Sequence, residues 1–192
     1  MHICTSHEFD ASLERVLDSL IRAEYAAYLC EHHPFFEDVR VLSLSQDAYS
    51  IRRYVRYQAR PIFAKLGPFS IPASWFVWTE VSVLDLRTHV LTFENIPELE
   101  SIRPKVVNRG KMVFRALPGR RSVRHSTFDI ELRVPLVYRP FVELGTQLVG
   151  VRVQKSLDQE AEVLSRWVAA LWSDNARPLV QPDALLSARV LN

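Results

Sequence analysis

The segment from Tyr138 to Leu171 constrains the architecture of this chain more than any other. It keeps helical periodicity over more than 30 residues, with no proline beyond Pro140. Phe141, Leu144, Leu148, Val151, Val153, Leu157, Ala161, Leu164, Val168 and Leu171 form an apolar stripe along it. Asp158, Gln159, Glu160, Glu162 and Arg166 occupy much of the other side of its second half. Gly145 and Gly150 interrupt the first half, which points to close backbone approach, a kink or a late start. The segment follows a run of strand-like stretches that begins near Val39. One long C-terminal helix after a long meander predicts a curved sheet wrapped around that helix, and such a shape encloses a cavity.

The rest of the chain supplies the meander. Residues 2–9 read as a strand, and Asp10 or Ser12 then caps a helix whose apolar positions are Leu13, Val16, Leu17, Leu20 and Ile21. A second short helix over Ala23 to Glu31 stops before His32-His33-Pro34, because the residue before proline avoids the helical region. Six strands are expected next: Val39 to Leu44, Tyr49 to Arg60, Trp75 to Leu86, His89 to Ile96, Lys105 to Leu117 and Ser122 to Val134. Alternation is clear in the second, where Ile51, Val55, Tyr57 and Ala59 interleave with Arg52, Tyr54, Arg56 and Gln58. Short turns such as Asp85–Thr88 and Pro118-Gly119 predict antiparallel pairing. Pro61 to Ala73 reads as a loop or short helix, and residues 173–192 as a C-terminal tail after a domain over 1–172.

Composition excludes several classes. A net charge of +2 in 192 residues is too small to argue for nucleic acid. Cys4 and Cys30 have no metal spacing and read as two reduced, packed thiols. The N-terminus lacks a signal-peptide pattern and no apolar run reaches the ~18 residues of a membrane span, so a cytoplasmic location is expected. With only five glycines there is no phosphate-cradling loop, and no cofactor is expected. No G-x-S-x-G or Cys–His arrangement marks a nucleophile. Among the six histidines, adjacent His32 and His33 diverge and make a poor metal site, so a solvated helix end is expected there and no metal. His89 is expected at a wet turn, and His125 on the face away from the cavity.

The order of elements resembles the START-like superfamily, also called SRPBCC or helix-grip. Phe9-Asp10-Ala11-Ser12-Leu13-Glu14-Arg15-Val16 looks like the usual opening of that fold. Phe128-Asp129-Ile130-Glu131-Leu132-Arg133-Val134-Pro135-Leu136-Val137 is similar to an actinobacterial branch whose last strand ends in V-P-L-V/I, then glycine and the helix. Here Tyr138-Arg139-Pro140 stand in place of the glycines. The resemblance covers about residues 2–172 and rests on order more than on any motif. It implies an α+β helix-grip fold: a curved seven-stranded antiparallel sheet around a long C-terminal helix, with two short helices after the first strand. It also implies a cavity for lipids, sterols, polyketides or other apolar molecules, and no particular reaction.

Strand phase selects Tyr57, Trp78, Glu80, Met112, Phe114, Phe128, Ile130, Leu144 and Leu148 as ligand-lining residues, a choice that a one-residue register slip would invert. Ile62, Phe63, Leu66 and Phe69 lie between prolines in the Pro61–Ala73 segment and form a gate; such a loop closes over a ligand, touches a membrane transiently, or packs into the core. Glu80 and Glu94 sit on hairpin partners, at similar heights but not necessarily on one face, and Arg109, Lys111 and Arg115 alternate on the next strand. Cross-strand pairing in water is the plain reading; turned inward, the same groups would orient a ligand or move a proton. Trp167 and Trp172 are expected to pack on the sheet. The leading function is binding or transport of a hydrophobic, lipid-like small molecule. The alternatives are a polyketide aromatase/cyclase-like enzyme, which needs Glu80 or Arg109 inside, and a non-catalytic partner-binding protein with a filled core and an exposed Trp75. Binding is preferred to catalysis, and nothing in the sequence fixes an oligomeric state.

Overall fold

The computed structural model describes residues 1–61, 65–66, 69–70, 72–133 and 139–173; within these, the side chains of 65, 66, 69, 70, 132 and 139–149 are not described. Strand β1 (His2–Phe9) leads into helices α1 (Leu13–Ile21) and α2 (Ala23–His32). Strands β2 (Phe36–Gln46) and β3 (Ser50–Ala59) follow, then the two-residue strands β4 (Lys65–Leu66) and β5 (Phe69–Ser70). Strands β6 (Val77–Asp85), β7 (Val90–Pro97), β8 (Val106–Leu117) and β9 (Arg121–Leu132) complete the meander, and α3 (Arg139–Leu171) closes the chain. The main sheet has seven strands in the order β1-β9-β8-β7-β6-β3-β2, and its neighbours pair antiparallel. This is the α+β architecture expected from the sequence.

Local chemistry sets the boundaries. Ser12 is the extended N-cap of α1, which buries Leu13, Val16, Leu17 and Leu20 on one face. Arg22 is extended and separates α1 from α2, and α2 ends at His33, just before Pro34. Register shifts in the β2–β3 pair, between Phe36 and Asp38 and between Val41 and Ser43, are bulges of the kind that bend a strand. Gly119 and Arg120 take positive φ in the β8–β9 turn, and His89 does so in the β6–β7 turn. In mid-sheet, Phe93, Gly110 and Phe128 are register neighbours. The Phe93 and Phe128 rings meet across the glycine with centroids 5.0 Å apart.

The core lies between the concave face of the sheet and the three helices, and includes Phe9, Val16, Leu29, Val55, Leu84, Phe114, Val163 and Leu164. Several details depart from expectation. Between Pro61 and Ala73 the described residues form the β4–β5 pair rather than a plain loop. Trp75 and Phe76 belong to a 3-10 turn over Ala73–Phe76 that precedes β6. Trp167 and Trp172 pack toward α1 and α2, not on the sheet: their indole N–H groups donate to the Ser19 carbonyl and to the Ser19 hydroxyl, both at 3.1 Å. His33 is no solvated helix end. It is 1% exposed, its Nε2 lies 3.0 Å from the Ser156 carbonyl, and the Phe35 N–H donates to its Nδ1. Because Nδ1 accepts, Nε2 carries the proton and donates, tying α2 to α3. No described helix is long and apolar enough to cross a membrane.

Candidate ligand cavity

A cavity of about 580 Å³ lies between the concave face of the sheet and α3. That volume is in the range of sites that hold drug-sized molecules. Its walls come from α1 and α2 (Leu20, Tyr25, Leu29), from the sheet strands (Val55, Tyr57, Trp78, Met112, Phe128, Ile130) and from α3 (Val153, Leu157). The Tyr57 and Trp78 rings stack across β3 and β6, with centroids 5.5 Å apart and planes 13° from parallel. Most of this surface is apolar, so burying an apolar ligand here is favourable by about 25 cal/mol per Å² removed from water.

Charge is concentrated at the end near α1 and α2. Arg53, on β3, donates from Nη1 to the Leu20 carbonyl at 2.6 Å and lies 3.6 Å from the Glu80 carboxylate on β6. Burial pushes the Glu80 carboxyl above its ordinary pKa, and the Arg53 charge only partly opposes this. Burial, reinforced by the negative charge of Glu80, drives the Tyr57 hydroxyl far above its ordinary range, so it stays un-ionised. On α3, Glu160 accepts from the Tyr25 hydroxyl at 2.9 Å and lies 2.5 Å from the Arg124 guanidinium of β9. Burial alone would raise the Glu160 pKa, but the Arg124 charge and its hydrogen bond outweigh burial and hold it below the usual carboxylate value. Burial would likewise lower Arg124, and the Glu160 charge reverses that. Burial, then the negative charge of Glu160, pushes the Tyr25 hydroxyl well up. Two buried carboxyl groups whose pKa values are pushed in opposite directions therefore sit at one end of an apolar chamber.

No family model and no curated protein matches the chain in sequence. Solved structures do match in shape. A protein from Thermus thermophilus superposes with a TM-score of 0.63 at 18% identity, covering 90% of this chain and 100% of that one. The Zhui aromatase/cyclase from a Streptomyces species gives 0.63 at 16% identity over 92% and 99% of the two chains. Norcoclaurine synthase from Thalictrum flavum, solved in complex with dopamine and hydroxybenzaldehyde, gives 0.60 at 13% identity over 92% and 89%. The chain has the START-like helix-grip fold. At these identities the likeness speaks for the fold alone.

Within the helix-grip cavity, the residues selected by strand phase fall as follows. Tyr57, Trp78, Glu80, Met112, Phe128 and Ile130 line it. Phe114 points the same way but is packed in the core, 2% exposed, and is not part of the wall. The side chains of Leu144, Leu148, Leu66 and Phe69 lie outside the described residues, as do Ile62 and Phe63 altogether, so the gate segment is not described. Glu94 and Arg109 are register neighbours on the outer, exposed face, so Glu80 and Glu94 are on opposite faces and Arg109 is not in the cavity. His125 is exposed on that outer face too.

Several residues of the site escaped the sequence reading. Arg53 is in phase with Ile51 and Val55, and Arg124 with Phe128, so alternation alone put both indoors. Glu160 was assigned to the polar side of the helix, yet it faces the cavity. It stands three residues after Leu157 and four before Leu164, which places it on the edge of the apolar stripe. Asn95 and Asn108 also line the cavity, on the inward phase of β7 and β8. Among the described residues no cluster of three or more His, Cys, Asp or Glu side chains comes together as a metal site.

Proposed function

We propose that this protein binds a hydrophobic small molecule in the cavity between the sheet and α3. The observation that carries this reading is the chamber itself: about 580 Å³, walled largely by aliphatic and aromatic side chains, with the polar groups gathered at particular places. A filled-core interaction protein would have no use for such a space, because interiors otherwise pack to near-crystalline density. Whether the molecule is carried or only sensed, apolar burial supplies most of the affinity and the polar groups set its orientation. Native mass spectrometry of freshly purified protein, followed by solvent extraction and analysis of the extract, tests it. The expected result is an adduct of small-molecule mass that solvent releases. A clean apo mass, together with failure to bind any of a panel of apolar fluorophores at saturation, overturns the reading.

A second reading, an aromatase/cyclase-like enzyme, is favoured by one observation. Glu80 faces the cavity with its carboxyl biased toward the protonated form, beside the Tyr57 phenol. A neutral carboxyl in an apolar site is suited to donating a proton or hydrogen bond to a ligand oxygen. For an enzyme of this type, Glu80→Gln would abolish turnover of a polycarbonyl substrate while leaving binding within a few-fold; equal turnover by the variant would eliminate Glu80 as the acid.

A further inference from the structure

We propose that Glu80, Asn95 and Asn108 form a recognition row, and that the cavity prefers an apolar ligand carrying two or more neutral hydroxyl or carbonyl groups along one edge over a plain acyl chain. This rests on the cavity-binding reading above and refines its ligand class. The three residues are consecutive register partners: Glu80 opposes Asn95 across β6 and β7, and Asn95 opposes Asn108 across β7 and β8. All three line the cavity. They therefore stand at one height on three adjacent strands, spaced at about 4.8 Å per strand. The amide oxygens of Asn95 and Asn108 are buried and have no hydrogen-bond partner among the described residues. An unpartnered buried amide oxygen is destabilising; as placed both oxygens are covered by protein, and a turn of each amide about its last bond brings the oxygen to the chamber wall, where an entering partner can satisfy it.

The surroundings narrow the partner further. The Phe93 and Phe128 rings flank the row on one side, and the stacked Tyr57 and Trp78 flank it on the other, so the body of the ligand must be apolar. Among the described residues two arginines line the cavity, and both are engaged: Arg22 with Asp18 at 2.8 Å, and Arg53 with Glu80 at 3.6 Å. A carboxylate head group at the row would meet amides and another carboxyl; the Met1 ammonium, which also belongs to the wall, is held on the Ile130 carbonyl at 2.6 Å. Neutral oxygens suit the row better, since an amide both donates and accepts. Hydroxyls placed meta to one another on an aromatic ring fall at about the inter-strand spacing of roughly 4.8 Å, so neighbouring amides can each hold one.

Isothermal titration with 1,3-dihydroxynaphthalene, 1-naphthol and dodecanoate tests the row. The dihydroxy compound should bind about three- to tenfold more tightly than 1-naphthol, the gain of one net hydrogen bond, and dodecanoate should bind weakest. Asn95→Leu and Asn108→Leu, made singly, should each remove that gain while 1-naphthol loses less. Both apo variants should melt at or above the wild-type temperature, because an unpartnered amide has been removed; a residue kept only for structure would show the opposite. Equal affinity for the dihydroxy and monohydroxy probes, equal losses for both in the variants, or dodecanoate as the tightest ligand would overturn the row while leaving the cavity reading standing. If none of the three probes binds, the row falls, and the cavity reading is decided separately by the native mass and fluorophore test above.

Discussion

Replacing Glu160 by leucine measures how much of the attachment of α3 to the sheet rests on one buried charge pair. The Arg124 guanidinium is 1% exposed and lies 2.5 Å from the Glu160 carboxylate. Apart from that ion-pair contact, its Nε, Nη1 and Nη2 have no hydrogen-bond partner among the described residues, and its carbon sits 5.7 Å from the centre of the Phe9 ring. In Glu160→Leu the guanidinium keeps its charge and loses its counter-ion. Breaking a buried pair from one side costs about 3–5 kcal/mol. The Tyr25 hydroxyl, which donates to Glu160 at 2.9 Å, also loses its acceptor, a further loss of about 1 kcal/mol. In a domain of this size each kcal/mol moves Tm by about 2–4 °C, so the variant should melt about 8–24 °C below wild type. The double variant Arg124→Met/Glu160→Leu should recover most of the loss, since a packed apolar pair is commonly as stable as the ion pair it replaces. Because Glu160 is held below its ordinary value of 4.5, its contribution is fully present above that pH and is lost as pH falls through the depressed folded value. The gap between wild type and Glu160→Leu should therefore close in acid. Urea unfolding followed by circular dichroism at pH 7 and across the acid range reads all of this. A single-variant loss below about 1 kcal/mol, the worth of an exposed pair, or a double variant as unstable as the sum of the singles, would refute the reasoning.

Three other substitutions probe the frame around the cavity. A Cβ at Gly110 would overlap the Thr127 carbonyl oxygen and stand 2.6 Å from the Phe93 ring, so Gly110→Ala should destabilise by about 1–3 kcal/mol in urea unfolding; a neutral result would mean the sheet can shift there. Glu80→Gln mimics the protonated carboxyl. The folded pKa of Glu80 is raised, so wild type loses stability as pH climbs from the ordinary value of 4.5 through the folded value. The variant should then be the more stable protein at pH 7 and match wild type in acid, and a variant less stable at pH 7 would show that the Arg53 pairing outweighs burial. His33→Ala removes the donor to the Ser156 carbonyl and the acceptor for the Phe35 N–H, so thermal melts should show a loss of about 2 kcal/mol, with a wild-type melt refuting the bridge.

The architecture was legible because it rests on periods. The long stripe from Phe141 to Leu171 and the alternation in residues 51–59 leave few folds open, and the observed seven-stranded order follows from hairpin connections. Strand phase also carried Tyr57, Trp78, Glu80, Met112, Phe128 and Ile130 to the concave face. What sequence reasoning lost was the polar content of that face. Alternation is usually read as apolar inside and charged outside, and under that habit Arg53 and Arg124 go unassigned and Glu160 goes to solvent. In a closed core the habit is sound, because a buried charge without a partner is too costly to keep. A chamber changes the condition. Glu80 and Glu160 are supplied from different elements with Arg53 and Arg124 as partners, and these pairings run between β6 and β3 and between α3 and β9. No spacing along the chain encodes a pair separated by so many residues; what the sequence does show is each charge standing in phase with apolar neighbours. An arginine or glutamate in apolar phase on a strand that faces a cavity therefore marks a buried partner elsewhere, and in a sheet wrapped around a helix the first place to look is the inward edge of that helix.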